Sequence, residues 1–243
     1  MLRNVLVTAA SRRVPLVRAF QRALAQPRRG GVVVVTDVNP LSPAVHVADR
    51  AYRVPRSDEP GYIEAVLDIA IAEGVGLVVP TIDDELAAFG HARRRFAFHG
   101  LHVAVSDPET SEVCHDKYLT CQVLRACGLP AAPSWLPGAV PADVAFPLFV
   151  RPRRGRGGVG AHPIRDAREL AFFVDYVADP VVQRYLDGPE YTIDMLCDFA
   201  GRPLSIVPRR REVIRAGVMD RGCSERHPAL IRLAEACAAR LPC

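Results

Sequence analysis

The chain has 243 residues, of which 49% are hydrophobic and 24% are charged, and its formal net charge is +4. This composition is typical of a globular protein and excludes an intrinsically disordered chain, which has fewer apolar residues and a larger net charge. No apolar run approaches the roughly 20 residues that cross a bilayer. Arg3, Arg12 and Arg13 interrupt the apolar stretch near the first residue, as a signal peptide would not allow. We therefore expect a cytoplasmic protein without a membrane partner.

The first part of the chain alternates between short apolar strands and amphipathic helices. The run at 32–37 (VVVVTD) is typical of a strand buried on both faces of a parallel sheet. The predicted strands are 4–8, 32–37, 52–54, 76–80 and 102–105, and the predicted helices are 12–25, a helix around Ile63 to Ile71, and 83–98. Strands and helices in this alternation predict an α/β domain with a doubly wound, Rossmann-like parallel sheet.

The first turn between strand and helix, residues 8–12 (TAASR), contains no glycine. A dinucleotide-binding sheet needs G-x-G-x-x-G there, so we expect neither NAD nor FAD in this domain. Asp37 and the pair Asp83–Asp84 follow predicted strands, at the edge where open α/β sheets bind ligands. For the acidic pair, capping of the following helix is the competing interpretation.

The pattern changes near residue 110, which predicts two domains, 1–110 and 111–243. In the second domain, Gly128 is a typical residue to end a helix that begins at Asp116. The predicted elements are this helix (116–127), a strand at 147–151, a helix at 166–177, strands near 181–186 and 190–199, and a last helix at 225–241.

The cysteine and arginine patterns exclude two further classes of function. The seven cysteines form no CxxC pair, which argues against a disulfide framework and against a zinc ribbon. The arginine runs 93–95 and 209–211 are short and lack interleaved aromatic residues. We therefore favour genomic composition over a nucleic-acid-binding surface as their explanation, and expect no nucleic-acid partner. The chain has a single lysine, Lys117, among its many arginines.

The segment 151–160 (RPRRGRGGVG) is the strongest local signal of a binding site. Closely spaced glycines between two strands allow successive backbone N–H groups to surround an anion, and the adjacent guanidinium groups supply positive charge. The spacing does not fit a Walker A motif. The segment is interpreted either as a cover over nucleotide phosphates or as a flexible surface hairpin.

Read in order, these motifs resemble the ATP-grasp superfamily, particularly proteins similar to the carbamoyl-phosphate synthase large subunit and to the ligase of pyrrolysine biosynthesis. The ordered set is Asp116-Lys117, the glycine-rich segment, QRYLDG at 183–188 and EYTID at 190–194. In the first domain, VLVTAASRRVPLVRAF, TDVNPLSPA and VVPTIDDEL are similar to the domain that precedes ATP-grasp domains. The resemblance implies a Rossmann-like pre-ATP-grasp domain followed by an incomplete α+β ATP-grasp domain.

The resemblance also implies roles for individual residues. Lys117 and Arg151 would contact the nucleotide phosphates, and the loop 155–160 would close over them. The implied loop residues are Gly155, Arg156, Gly157, Gly158 and Gly160.

Other residues would bind the nucleoside and the transferred phosphate. Gln183, Arg184, Tyr185 and Leu186 would form the strand that contacts adenine, and Glu190 would accept hydrogen bonds from the ribose hydroxyls. Arg209 and Arg211 are expected to follow the next pair of strands and to act as catalytic contacts to the transferred phosphate, in a run that also includes Arg210 and Arg215.

The implied activity is that of an ATP-dependent carboxylate–amine ligase that acts through an acyl phosphate, with small-molecule carboxylate and amine substrates. Family members bind Mg²⁺ through a glutamate and a Glu-x-Asn segment, which this sequence does not contain, so we expect no metal ligands in it. The apolar face of the last helix is likewise expected to lack its sheet. The alternatives are a non-catalytic nucleotide-binding module or half of a split ligase, either as a homodimer or with a complementing C-terminal fragment.

Overall fold

The computed structural model describes residues 4–26, 30–155, 157–215 and 218–241. The chain forms two compact units, Met1–Ser111 and Glu112–Cys243. No helix within the described ranges is both long enough and apolar enough to span a bilayer. The described cysteines between 4 and 241 are all free thiols.

The first unit is built on a five-stranded parallel sheet in the order β3-β2-β1-β4-β5. Its strands are β1 (Asn4–Val7), β2 (Val33–Asp37), β3 (Arg50–Arg53), β4 (Val75–Val79) and β5 (His102–Val103). Its helices are α1 (Val14–Leu24), α2 (Tyr62–Ala72) and α3 (Asp83–Phe98), and α4 (Pro108–His115) contains the boundary between the units. The predicted doubly wound parallel sheet is confirmed.

Apolar side chains cover both faces of this sheet, because successive residues of a strand point to opposite sides. On one face, Val5 and Val7 pack with Val17 and Leu24 of α1. On the other face, Leu6 belongs to a core that includes residues from α2 and α3. The buried β-branched runs in the sequence therefore become a central sheet with helices on both sides.

The second unit begins with helix α5 (Lys117–Ala126) and a four-stranded antiparallel sheet in the order β6-β9-β7-β8. These strands are β6 (Ser134–Trp135), β7 (Leu148–Pro152), β8 (His162–Ile164) and β9 (Pro180–Arg184), with helix α6 (Ala167–Tyr176) between β8 and β9. Leu148 and Val150 of β7 are fully buried in a core that also includes Phe173 of α6. The intervening residues of β7 lie on the opposite face of the sheet.

A second antiparallel sheet in this unit contains β10 (Tyr191–Cys197), β11 (Pro203–Arg215) and β12 (Val218–Ser224). Helix α7 (Pro228–Ala238) packs against β10 and β11, with Ala234 and Ala238 buried. The expectation that the last helix lacks a sheet is therefore wrong. The sequence analysis missed β11 and β12 because their polar and apolar residues do not alternate regularly, and the pairing of these two strands shifts register twice.

A buried carboxylate connects the carboxyl ends of the adjacent strands β1 and β4 in the first unit. Glu85 of α3 is fully buried, and its carboxylate accepts hydrogen bonds from the Thr8 hydroxyl at 2.8 Å, the Thr81 amide at 2.6 Å and the Tyr62 hydroxyl. Burial and the neighbouring carboxylate raise the pKa of Tyr62, so its hydroxyl remains a donor. Asp83 and Asp84 lie beside it in the first turn of α3.

We predict that Glu85→Ala destabilises the first unit by about 3 kcal/mol, because several buried donors lose their acceptor at once. Hydrogen exchange of β1 and β4 amides should then be about 100-fold faster. The matched control is Glu64→Ala, which removes an exposed glutamate paired with Arg95 at 2.8 Å and should change exchange little. Equal effects of the two substitutions would contradict the role of Glu85 as the acceptor of these buried hydrogen bonds.

Candidate nucleotide-binding cleft

An open cleft of about 1450 Å³ lies in the second unit. Its lining comes from β7, β9, the glycine-rich loop, the connection from β9 to β10, and β11. The predicted site residues that line it are Arg151, Gly157, Gly158, Gln183, Arg184, Tyr185, Leu186, Glu190 and Arg211. The structure therefore brings together residues that are up to 60 positions apart in the sequence.

The floor of the cleft is the face of β7 and β9 opposite to the buried core. Phe149 and Arg151 are two residues apart on β7 and therefore share this face. The Arg151 Nε donates to Gln183 Oε1 at 2.7 Å, and the guanidinium lies 5.9 Å from the centre of the Phe149 ring. Burial lowers the pKa of Arg151. A half-buried guanidinium at this position favours an anionic ligand.

The glycine-rich loop has a backbone that other residues rarely adopt. Gly155, Gly157, Gly158 and Gly160 all have positive φ, from 69° to 108°. At Gly160 a Cβ atom would also lie 3.2 Å from the Pro152 side chain. The backbone conformation of this turn therefore requires glycine at these positions. A turn without side chains leaves its backbone N–H groups accessible to a ligand. Arg156 lies outside the described residues.

The base of the loop is held by a buried carboxylate. Asp116 is 1% exposed and caps α5 by accepting hydrogen bonds from the amides of Tyr118 and Leu119 at 2.9 and 3.2 Å. Its Oδ2 also accepts a hydrogen bond from Arg153 Nη2 at 2.5 Å. Burial alone would raise the pKa of Asp116, but the hydrogen bonds from Arg153 and the backbone lower it below its ordinary value.

Lys117 lies between this carboxylate and the loop. Its amide donates to the Arg153 carbonyl at 3.0 Å, and its Nζ donates to the carbonyls of Arg153 and Gly155 at 3.2 and 2.7 Å. Lys117 is thus attached to the backbone of the loop and is not among the residues that line the cleft.

The connection from β9 to β10 forms one wall of the cleft. Arg184 and Tyr185 donate their amides to the carbonyls of Pro133 and Pro147, at 2.9 and 3.4 Å, so the end of β9 is fixed on both sides. The Tyr185 ring lies 6.1 Å from the Phe149 ring. Beyond it, the Leu186 side chain is exposed. This wall combines apolar surface with backbone polar groups.

The arginine run 209–211 lies within β11, a strand that the sequence analysis did not predict. Alternation along the strand separates its members. Arg211 donates to Glu190 Oε1 at 2.5 Å and lines the cleft. Arg209 forms an ion pair with Asp194, and it is not among the lining residues. Arg210, with its side chain on the opposite face, pairs with Glu225 at 3.2 Å.

Several residues of the cleft were missed by the sequence analysis. These are Cys121, Ala132, Phe149, Ala161, Asp187, Gly188, Pro189, Tyr191 and Ile214. Phe149 had a usable signal, since it is two residues from Arg151 in a predicted strand and must share its face. Cys121 and Ala132 had no such signal, because they reach the cleft only through the packing of α5 and β6 against β9.

Within the described part of the chain, no three His, Cys, Asp or Glu side chains form a group that could hold a metal ion. Of the acids near the cleft, Glu190 pairs with Arg211, Glu225 pairs with Arg210 and accepts from Tyr191, and Asp187 lines the cleft.

Comparisons with known proteins agree with this architecture. Residues 5–104 match the family described as PylC-like, N-terminal domain. Residues 177–243 match the family described as ATP-grasp in the biosynthetic pathway with Ter operon. The carbamoyl phosphate synthase large chain of a Mycobacterium species (strain JLS) is 28% identical over 190 residues, which is 70% of this chain and 17% of that protein.

Two solved structures have a similar fold. The L-amino acid ligase from Bacillus licheniformis has a TM-score of 0.71 at 17% identity, covering 99% of this chain and 60% of that one. The N5-carboxyaminoimidazole synthetase from Staphylococcus aureus, solved with ADP, has a TM-score of 0.73 at 13% identity, covering 98% and 63%. The chain therefore shares its fold with these two proteins.

The two family matches, together with the carbamoyl phosphate synthase relative, make the chain similar to proteins of the ATP-grasp superfamily. It spans between 17% and 39% of the length of the curated relatives that it matches.

We predict that the second unit loses stability in acid as Asp116 becomes protonated. Because the folded-state pKa is lower than the unfolded value of about 3.9, the contribution is present above about pH 4 and is lost as pH falls through the folded-state pKa. Asp116→Asn should therefore be less stable than the parent at pH 7, and the difference should shrink as pH falls below about 4. Urea unfolding followed by the fluorescence of Trp135 measures this, since Trp135 is the single tryptophan and lies in β6. A difference independent of pH would contradict the ion-pair assignment.

Proposed function

We propose that the cleft binds ATP and that the chain acts in an ATP-dependent carboxylate–amine ligase. One observation carries this proposal: the half-buried guanidinium of Arg151 faces the cleft and, among the described residues, its charge is balanced by no carboxylate. Because burying an unbalanced charge is unfavourable, an anionic ligand is expected to complete the site. The similarity to ATP-grasp proteins supports the polyphosphate of ATP as this anion.

The glycine-rich loop is suited to the polyphosphate of ATP. Gly157 and Gly158 line the cleft in left-handed backbone conformations, which allow adjacent N–H groups to converge on one anion. Lys117 donates to Gly155 at the base of this loop, so we propose that its ammonium lies close to the phosphates once the loop closes. Arg156, Gly155 and Gly160 belong to the same loop and are included in this proposal.

The nucleoside would be held by the wall from Gln183 to Glu190. Tyr185 and Leu186 offer apolar surface for adenine, and the backbone groups that follow β9 offer hydrogen bonds to its edge. Glu190 is half-exposed and uses Oε1 for Arg211, which leaves Oε2 for a ribose hydroxyl. Arg184 also lines this wall, and we propose that its backbone groups contribute to nucleoside binding.

The proposed reaction has two steps, and ATP is its substrate. A carboxylate oxygen attacks the γ-phosphorus, and the bond to the bridging oxygen breaks to release ADP. An amine then attacks the acyl carbon, phosphate leaves, and the amine loses a proton as the C–N bond forms. Arg151 and Arg211 would stabilise the negative charge on the transferred phosphate, and the loop would exclude water from the acyl phosphate. We propose that Arg209 supports this face through Asp194 and is not itself a catalytic contact.

A non-catalytic nucleotide-binding module is the second candidate. It would need only the residues that line the cleft, all of which belong to the second unit. The two candidates differ in turnover: a ligase releases phosphate from ATP when carboxylate and amine mixtures are added, whereas a module only binds ATP.

We predict that Arg151→Ala weakens ATP binding by about 100-fold, because a buried contact between charges is lost. Lys117→Ala should weaken it by about tenfold or more through loss of a second cation near the phosphates. Calorimetric titration of ATP into the full chain measures both effects, with circular dichroism to show that each variant is folded.

The matched control is Arg202→Ala. Arg202 is exposed and pairs with Asp198 at the far turn between β10 and β11, so its loss removes the same charge away from the cleft. ATP affinity should be unchanged. Equal losses in Arg202→Ala and Arg151→Ala would indicate a general charge effect and would reject the proposed site.

A further inference from the structure

The Gln183 side chain occupies the centre of a row of polar groups on the floor of the cleft. β9 lies between β6 and β7, and the register places Gln183 opposite Ser134 on one side and Phe149 on the other. Arg151 lies two residues along β7 from Phe149, on the same face. Ser134, Gln183 and Arg151 therefore follow one another across three strands.

The hydrogen bonds in this row run in one direction. The Ser134 hydroxyl donates to the Ala132 carbonyl at 2.9 Å, so its oxygen accepts from Gln183 Nε2 at 2.7 Å. The amide oxygen of Gln183 then accepts from Arg151 Nε at 2.7 Å. A flipped amide would direct N–H groups at the guanidinium, which is itself only a donor. Ser134, together with Cys121 Sγ, which accepts from the same Nε2 at 3.4 Å, thus determines the orientation of the amide, and the amide determines the orientation of Arg151.

The row fixes Arg151 without neutralising it. Gln183 is 4% exposed and uncharged, whereas the nearby arginines Arg153, Arg209 and Arg211 each pair with a carboxylate. In the described part of the chain, Nε is the Arg151 nitrogen with an assigned hydrogen-bond partner, and the Phe149 ring lies beside the guanidinium. Its Nη groups therefore retain both their charge and their N–H donors for a ligand in the cleft.

We propose that the Gln183 side chain is a positioning residue for phosphate recognition, which holds Arg151 by Nε and leaves the Nη groups and the full positive charge for the phosphates of the nucleotide. This inference rests on the proposed ATP site. It assigns to the Gln183 side chain a role that is separate from any backbone contact to adenine.

The role predicts an effect that depends on the phosphates of the ligand. Gln183→Leu should weaken ATP by about tenfold, since a hydrogen bond to a charged group is lost, and should leave adenosine affinity within about twofold of the parent. Gln183→Glu should weaken ATP at least as much, because a carboxylate at this position would neutralise the guanidinium. Equilibrium dialysis with labelled ATP and labelled adenosine measures both ligands on the full chain.

A double-substitution cycle separates positioning from general damage. In an Arg151→Ala background, Gln183→Leu should cause no further loss of ATP affinity, because the residue that it positions is absent. The matched control is Gln21→Leu in the first unit, where Gln21 also makes two hydrogen bonds, to the Val47 carbonyl and to Asp49. ATP and adenosine affinities should be unchanged in this control.

Three outcomes would overturn the role proposed for Gln183 and leave the proposed ATP site standing. These are unchanged ATP affinity in Gln183→Leu, parallel losses for ATP and adenosine, and losses that add to those of Arg151→Ala. If Gln183→Leu does not fold, Ser134→Ala provides the test. Loss of the orienting hydroxyl should lower the affinity for ATP about threefold and leave the affinity for adenosine unchanged. Failure of the parent chain to bind either ATP or inorganic tripolyphosphate would overturn the proposed function and this inference with it.

Discussion

The buried carboxylate of Asp116 is the interaction on which the geometry of the cleft depends. It caps α5 through two amides and pairs with Arg153 at the start of the glycine-rich loop. A carboxylate that is 1% exposed is stable only with such partners, so the helix and the loop are held together. Lys117, one residue further on, is thereby placed against the loop carbonyls.

The arginines in and beside the cleft are held by two kinds of partner. Arg209 pairs with Asp194 of the neighbouring strand β10, and Arg211 pairs with Glu190, which directly precedes β10. Arg151 is held by the neutral amide of Gln183. In the first arrangement a carboxylate of the protein balances the charge of the guanidinium, whereas the second leaves the charge of Arg151 unbalanced until a ligand binds. The same distinction applies to the run 93–95, where Arg93 and Arg95 pair with Asp107 and Glu64, so these charges are balanced within the protein.

The sheets of the two units differ in how many of their faces are covered. In the first unit, parallel strands are covered on both faces, and the edge at their carboxyl ends is closed by hydrogen bonds between Thr8 and Thr81 and by Glu85. In the second unit, β7 and β9 bury one face and present the other to the cleft. The binding chemistry is therefore concentrated where a sheet face remains uncovered.

The sequence by itself determined the doubly wound first sheet, the capped helix at Asp116 and the glycine-rich loop, because buried strands, helix caps and left-handed turns depend on local residue types. It also supplied half of the residues that line the cleft, through the order of the motifs. The tertiary structure alone decided that Arg209 turns to Asp194, that Lys117 bonds to the loop, and that Gln183 orients Arg151. These outcomes depend on strand register and on contacts between distant segments, and neither is encoded in a local pattern.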